Sequence, residues 1–224
     1  MPTEDAVPRR AGRPARLSKE AIVAAAAAIV EADGVEQLSM RRLAKDLSST
    51  PMALYHHVED KDELLLLLLE AHARGFPRPE LPTEPRQRLL AAARTLHDVL
   101  ADCPWIVEVL ASDDLVAPSA LWIVEDILDA AVRCGLTPEE AVHAYRVIWY
   151  YTAGELLVHF TRSRRRAEAG TPTHRDRAFA ALDPTAYPRL TSMSGRWVAL
   201  TTEDSHRRGL AAIITGLLST DTTR

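Results

Sequence analysis

The residues best equipped for chemistry lie between positions 50 and 61. Met52, Ala53 and His56 share the outer side of a short helical pattern whose Leu54 and Val58 point inward. Methyl groups of Met and Ala suit the thymine methyl, and an imidazole can bond a base edge or a phosphate oxygen. This is the chemistry of reading a nucleic acid. A functionless exposed helix face is the competing reading of the same residues.

Catalytic and metal chemistries find little support. His56 and His57 are adjacent, so on a helix they point about 100° apart, which is poor for chelating one ion. With Asp60 they fall one residue short of an HHxxxD acyl-transfer pattern. There is no GxSxG, HExxH, GxGxxG or P-loop, and a small helical enzyme is a remote alternative. Cys103 and Cys134 fit no zinc or CxxC spacing and read as buried thiols of a reducing cytosol. Neither a metal nor a cofactor is expected. Arg9, Arg10, Arg13 and Arg16 surround Gly12-Arg13-Pro14. An extended arm of this kind can place an arginine in a narrow minor groove, or it can be a solubilising tail. The run Arg162, Arg164, Arg165 and Arg166 is placed at a helix C-terminus, where cations are favoured.

The elements that must hold the 50–61 cluster are all helical. Ser18 caps a first helix that runs to Asp33 and ends at Gly34, with Ile22, Ala26, Ile29 and Val30 inside. Ser39 caps a second over about 40–47. Thr50 caps a third over about 51–57, with Pro51 at its first position. Ser48-Ser49-Thr50 between them cannot extend an apolar face, so the pair forms a helix-turn-helix whose second helix fits a major groove. Asp60 opens a fourth helix, with Glu63 at the capping-box position and the enclosed run Leu64–Leu69. Gly75–Pro85 holds four prolines and a glycine and marks a break. Helices follow over about 86–102, 104–111, 118–134 and 137–166, and a last one over about 203–218. Residues 167–202 read as irregular, with one short helix near 184–193.

The chain of 224 residues is 47% apolar, enough for a real core. No apolar run is long enough to span a membrane and no signal-like segment opens the chain, so a cytoplasmic protein without a membrane partner is expected. Net charge is −4, and residues 1–61 carry nine Lys or Arg against nine Asp or Glu. A global basic field is excluded, and a nucleic-acid reader would depend on a few placed cations.

Gly34, Leu38-Ser39-Met40-Arg41-Arg42-Leu43-Ala44, Leu54-Tyr55-His56-His57-Val58, Lys61 and Leu64-Leu65 together resemble the TetR family of bacterial repressors. Gly135-Leu136-Thr137, Ala141, Ala144, Tyr151-Thr152-Ala153-Gly154, Gly209-Leu210 and Gly216-Leu217 are similar to its tetracycline-repressor branch. The resemblance implies an all-α chain: a flexible basic arm over 1–17, a three-helix DNA-binding domain over 18–62, and a ligand-binding and dimerisation domain over 63–224. It implies a homodimer on double-stranded operator DNA, released when an apolar or aromatic small molecule binds the C-terminal domain. A DNA-binding activator or a constitutive regulator is the alternative.

The resemblance also assigns residues. Tyr55, His57 and Lys61 match positions that hold the phosphate backbone, as a phenol, an imidazole and an ammonium can. Arg41 is placed to reach a guanine or a phosphate. The DNA-binding set is then Arg13, Ser39, Arg41, Thr50, Pro51, Met52, Ala53, Tyr55, His56, His57 and Lys61. Tyr145 and Trp149 match cavity-lining positions, though core aromatics are an equally simple reading. His97, Trp105, Trp122, Ile127 and Val142 complete the expected effector set. Ala144, Ile148, Tyr151 and Gly154, with Leu210 and Ile214 of the last helix, are the expected dimer surface.

Overall fold

The computed structural model describes residues 17–112, 115–168, 174–202 and 205–219. Among these every regular element is helical. The chain divides into two compact units, Met1–Leu64 and Leu65–Arg224.

The first unit contains α1 (Lys19–Asp33), a single 3-10 turn at Val35–Gln37, α2 (Met40–Asp46), α3 (Pro51–Tyr55) and the first turn of α4 (Lys61–Gly75). Each start is fixed by a side-chain cap. Ser18 Oγ accepts from the Ala21 N–H at 3.2 Å, Ser39 Oγ from Arg42 at 3.3 Å, and Thr50 Oγ1 from Ala53 at 3.2 Å. Asp60 accepts from the Glu63 N–H at 2.8 Å. Glu63 reaches back to the Glu59 N–H at 2.6 Å, one residue earlier than a regular capping box. Gly34 ends α1 at φ +88°, a backbone conformation that strains other residues. Ile22, Ala26, Leu38, Leu43, Leu54, Val58 and Leu64 make the core of this unit. Arg42 ties α2 to α1 through Asp33, and Lys19 bonds Glu63 at 2.7 Å.

The second unit holds the rest of α4, then α5 (Pro85–Ala101), α6 (Pro104–Ser112), a 3-10 turn at Pro118–Ala120, α7 (Leu121–Arg133), α8 (Pro138–Glu168), α9 (His174–Ala180), α10 (Pro188–Met193), α11 (Trp197–Thr202) and α12 (Ser205–Leu218). Helix α5 packs on α7, α7 on α8, and α8 on α6 and α12. Leu89, Ala93, Ile127, Ala130, Ile148, Leu210 and Ile214 are fully buried between them. Thr137 and Glu140 form a complete reciprocal capping box at the start of α8. The segment after α4 is not a free linker. Arg78 makes a two-pronged bond to the buried Asp126 of α7, at 2.6 and 3.0 Å, and its guanidinium lies over Trp122.

Two expectations are corrected. Helix α7 starts at Leu121 rather than 118, because Pro118 opens a single 3-10 turn, held by the Ala120 N–H on the Ala117 carbonyl at 2.9 Å, before the α-helix begins. Between 167 and 202 the described residues form three short helices rather than one. Gly209 shows how closely α12 meets α8. A Cβ there would stand 1.9 Å from the Tyr151 hydroxyl, which donates to the Ser205 carbonyl at 3.1 Å while its ring stacks on His206. Gly209→Ala must push this tyrosine out of its bond. It should lower stability by about 1–3 kcal/mol in thermal denaturation, and an unchanged melting temperature would show that Tyr151 relocates freely.

Candidate nucleic-acid interface and cavity

The turn between α2 and α3 is tight because Ser48 takes a left-handed conformation, φ +49°. The Ser49 N–H then returns to the Ala44 carbonyl at 2.8 Å. This presents the start of α3 outward. Met52 is 69% exposed and Tyr55 48%, while Leu54 between them is sealed in the core. Thr50, Pro51 and His56 are exposed on the same short helix and its flanks, and Ala53 and His57 are half-buried. On α2, Ser39 and Arg41 are exposed. Ser39 is also committed to its cap, whereas no hydrogen bond or ion pair holds Arg41 among the described residues. Lys61 is half-buried, with Nζ 3.5 Å from the Val35 carbonyl, so its ammonium is loosely held beside the 3-10 turn. The Glu20 carboxyl is held below its usual range by its own backbone N–H first and by the Ser18 hydroxyl second, with His57 adding a smaller pull. Arg13 lies outside the described residues, as do Arg9, Arg10 and Arg16.

The second unit contains a half-open cavity of about 390 Å³ walled by α4, α5, α6, α7 and α8. Leu69, His72 and Ala73 come from α4, Leu96 and Val99 from α5, Ile106 and Leu110 from α6, Ile123 and Val124 from α7, and Tyr145, Arg146 and Trp149 from α8. His72 is fixed in orientation. Nε2 lies 3.2 Å from the Val99 carbonyl, which can only accept, so Nε2 carries the proton and Nδ1 accepts from the Cys103 thiol at 3.4 Å. A larger cavity, about 520 Å³, lies along the other side of α8 against Thr201 and Ser205. Among the described residues there is no cluster of three or more metal-ligating side chains, and no helix is long and apolar enough to cross a membrane.

Residues 22–68 match the family described as "Bacterial regulatory proteins, tetR family", and residues 78–220 match "Tetracyclin repressor-like, C-terminal domain". The chain belongs to the TetR family of transcriptional regulators. It is 33% identical over 159 residues to an HTH-type transcriptional regulator of Saccharopolyspora erythraea, across 69% of this chain and 66% of that one. It is 36% identical over 149 residues to the HTH-type transcriptional repressor DrrR1 of Streptomyces coeruleorubidus, across 66% and 55%. The alignments thus span less than two thirds of either relative. The crystal structure of the TetR family protein ActR of Streptomyces coelicolor in complex with actinorhodin superposes with a TM-score of 0.74 at 27% identity, over 91% of this chain and 96% of that one. The first unit is therefore a TetR-type DNA-binding domain, and the proteins of this family are regulators rather than enzymes.

The structure places Tyr145 and Trp149 in the cavity wall and moves five expected wall residues of this TetR-family domain elsewhere. Ile127 is fully buried between helices, and Val142 is 51% exposed on the outer side of α8. Trp122 carries the Arg78 guanidinium, and Trp105 is buried in packing apart from the lining. His97 stacks on His206, with ring centres 3.9 Å apart. The aliphatic lining of α4–α7 went unforeseen because a leucine facing a void has the same sequence signature as one facing a neighbour.

The expected dimer surface is corrected in the same way. Ala144, Ile148, Leu210 and Ile214 are 0–1% exposed within a single chain and cannot meet a second one. Tyr151 is committed to α12 of its own chain. Gly154 is exposed, in one four-spaced row with Val142, Arg146, Tyr150 and Val158. Of the basic run after it, Arg162 is exposed and the side chains of Arg164, Arg165 and Arg166 lie outside the description.

One contact reports on the α4 wall through pH. Glu70 accepts from the Ser119 N–H at 3.0 Å and from the Ser119 hydroxyl, and these bonds hold its carboxyl below the usual range. Its folded pKa is depressed, so the contribution is present above the ordinary carboxylate pKa and is lost as pH falls through the folded value. Ser119→Ala should therefore destabilise the protein at neutral pH, with the difference from wild type shrinking in the acid limb of a pH titration followed by circular dichroism. A pH-independent difference would show that Glu70 is not the group concerned.

Proposed function

We propose that this TetR-family chain is a ligand-released repressor: a homodimer that holds operator DNA through paired α3 helices and lets go when a small molecule fills the cavity. The observation that carries this reading is the continuity of α4. Its first turn belongs to the DNA-binding unit, and Leu69, His72 and Ala73 of the same helix wall the cavity. A ligand that touches these residues can favour one placement of α4 over another, which is what a population shift requires. Met52, Ala53 and His56 read base edges, while Arg41, Tyr55, His57 and Lys61 grip phosphates. The largely aliphatic lining calls for an apolar or aromatic effector, and DrrR1 and ActR, as a named repressor and a ligand-bound structure, support the reading.

The outward row Val142, Tyr150, Gly154 and Val158 of α8, beside the exposed Ala212 and Gly216 of α12, forms the dimer surface. Two copies of α3 would then sit in successive major grooves, about 34–36 Å apart for the simplest half-site spacing.

The test uses DNA from the intergenic region next to the gene and an unrelated fragment of equal length. Wild type should prefer the former at moderate salt, and Tyr55→Phe with Lys61→Ala should lose that retention. Equal retention of both fragments, or an unaffected double variant, would count against a helix-turn-helix repressor.

A further inference from the structure

The cavity lining is aliphatic apart from four polar side chains: His72, Tyr145, Arg146 and Trp149. Two of the four are already engaged. Both ring nitrogens of His72 are occupied, by the Val99 carbonyl and the Cys103 sulfur. Arg146 lends the cavity only part of its side chain, because its guanidinium donates to the exposed Tyr150 hydroxyl and lies 4.8 Å above that ring. No carboxylate appears in the lining.

The Tyr145 hydroxyl and the Trp149 indole N–H remain. They are four residues apart, hence on one side of α8. Neither makes a hydrogen bond to a described residue, and neither is sealed off as a buried unpaired atom. Both side chains are half-buried, so a ligand that displaces solvent from them must supply the partner that buried Tyr and Trp polar atoms ordinarily find. Burial also pushes the Tyr145 phenol above its usual pKa, so it keeps its proton and acts as a donor. A cationic ligand would lose its hydration with no carboxylate to meet it, and the one lining cation, Arg146, has its guanidinium turned to Tyr150.

We infer that Tyr145 Oη–H and Trp149 Nε1–H are the recognition pair of this cavity, and that its ligand is an uncharged molecule with an apolar body and acceptor oxygens facing α8. The inference rests on the cavity being the ligand site.

Equilibrium dialysis of the full chain with three probes tests it. Xanthone carries acceptor oxygens at both edges of its central ring, 9,10-dihydroanthracene has methylenes in the same places, and xanthone-2-carboxylate adds a charge. Xanthone should bind about tenfold tighter than the hydrocarbon, the scale of one or two hydrogen bonds. Tyr145→Phe and Trp149→Phe should each weaken xanthone several-fold, as a single hydrogen bond would, and leave the hydrocarbon unchanged. The cavity-filling variant Ala120→Phe, with its helical content checked, should exclude both. If Ala120→Phe excludes xanthone but the two donor variants bind it like wild type, the donor pair is overturned and the ligand cavity stands. If Ala120→Phe leaves binding intact, or no probe binds, both are overturned. Carboxylate binding equal to that of xanthone would overturn the requirement for an uncharged ligand.

Discussion

Met52→Asp should weaken operator binding by at least about 100-fold, since setting like charges against each other across an interface costs several kcal/mol. The side chain is 69% exposed at the second position of α3, so nothing in the fold is disturbed. An acidic residue in a helix's first turn is favoured by the helix dipole, so the helix itself should gain slightly. The loss must then come from repulsion by the phosphates lining the groove. Fluorescence anisotropy on a labelled operator fragment, with a thermal melt alongside, separates the two effects. Undiminished affinity would mean that this face of α3 does not enter the groove.

Gly154→Arg should convert the proposed dimer to a monomer and cost about 100-fold or more in operator affinity, because half-sites held through one another gain 10²–10⁴-fold from linkage. Gly154 lies inside α8, where glycine costs about 1 kcal/mol relative to alanine. Its own chain does not demand it, since a Cβ there would meet nothing within 4 Å. The same is true of Gly216 in α12 and untrue of Gly209, which Tyr151 crowds. A glycine kept on an open helix face is explained by another helix approaching closely, and its neighbours Tyr150 and Val158 are 59% and 51% exposed. Light scattering during size-exclusion chromatography reads the outcome. A variant that remains dimeric would place the interface elsewhere.

The helix starts were legible because capping is local. A serine or threonine oxygen and an N–H three residues away suffice, and Ser18, Ser39, Thr50 and Thr137 each cap as their sequence indicates. Of the short helices between 174 and 202 only the one expected near 184–193 has its counterpart, α10, which Pro188 opens; α9 and α11 lie in sequence that read as irregular. The surfaces of α8 were harder still. Apolar residues surround this helix because α6, α7 and α12 all pack on it, so period alone cannot say which stripe is core. Ala144 and Ile148 fell to the core and Tyr150 and Val158 to the surface, a rotation that only tertiary packing decides. Cavity walls share this difficulty. Nothing local distinguishes Leu96, which lines the void, from Leu89, two turns earlier on the same face of α5 and in solid packing.

A small molecule bound in the cavity is expected to release the DNA. The direct measurement is the anisotropy of a labelled operator fragment bound to the full-length protein, titrated with a compound already shown by dialysis to occupy the cavity. Anisotropy should fall to that of free DNA as the compound saturates wild type, a coupling of about 1–3 kcal/mol. A compound that saturates the cavity and leaves the DNA bound would mean that cavity occupancy does not control DNA release.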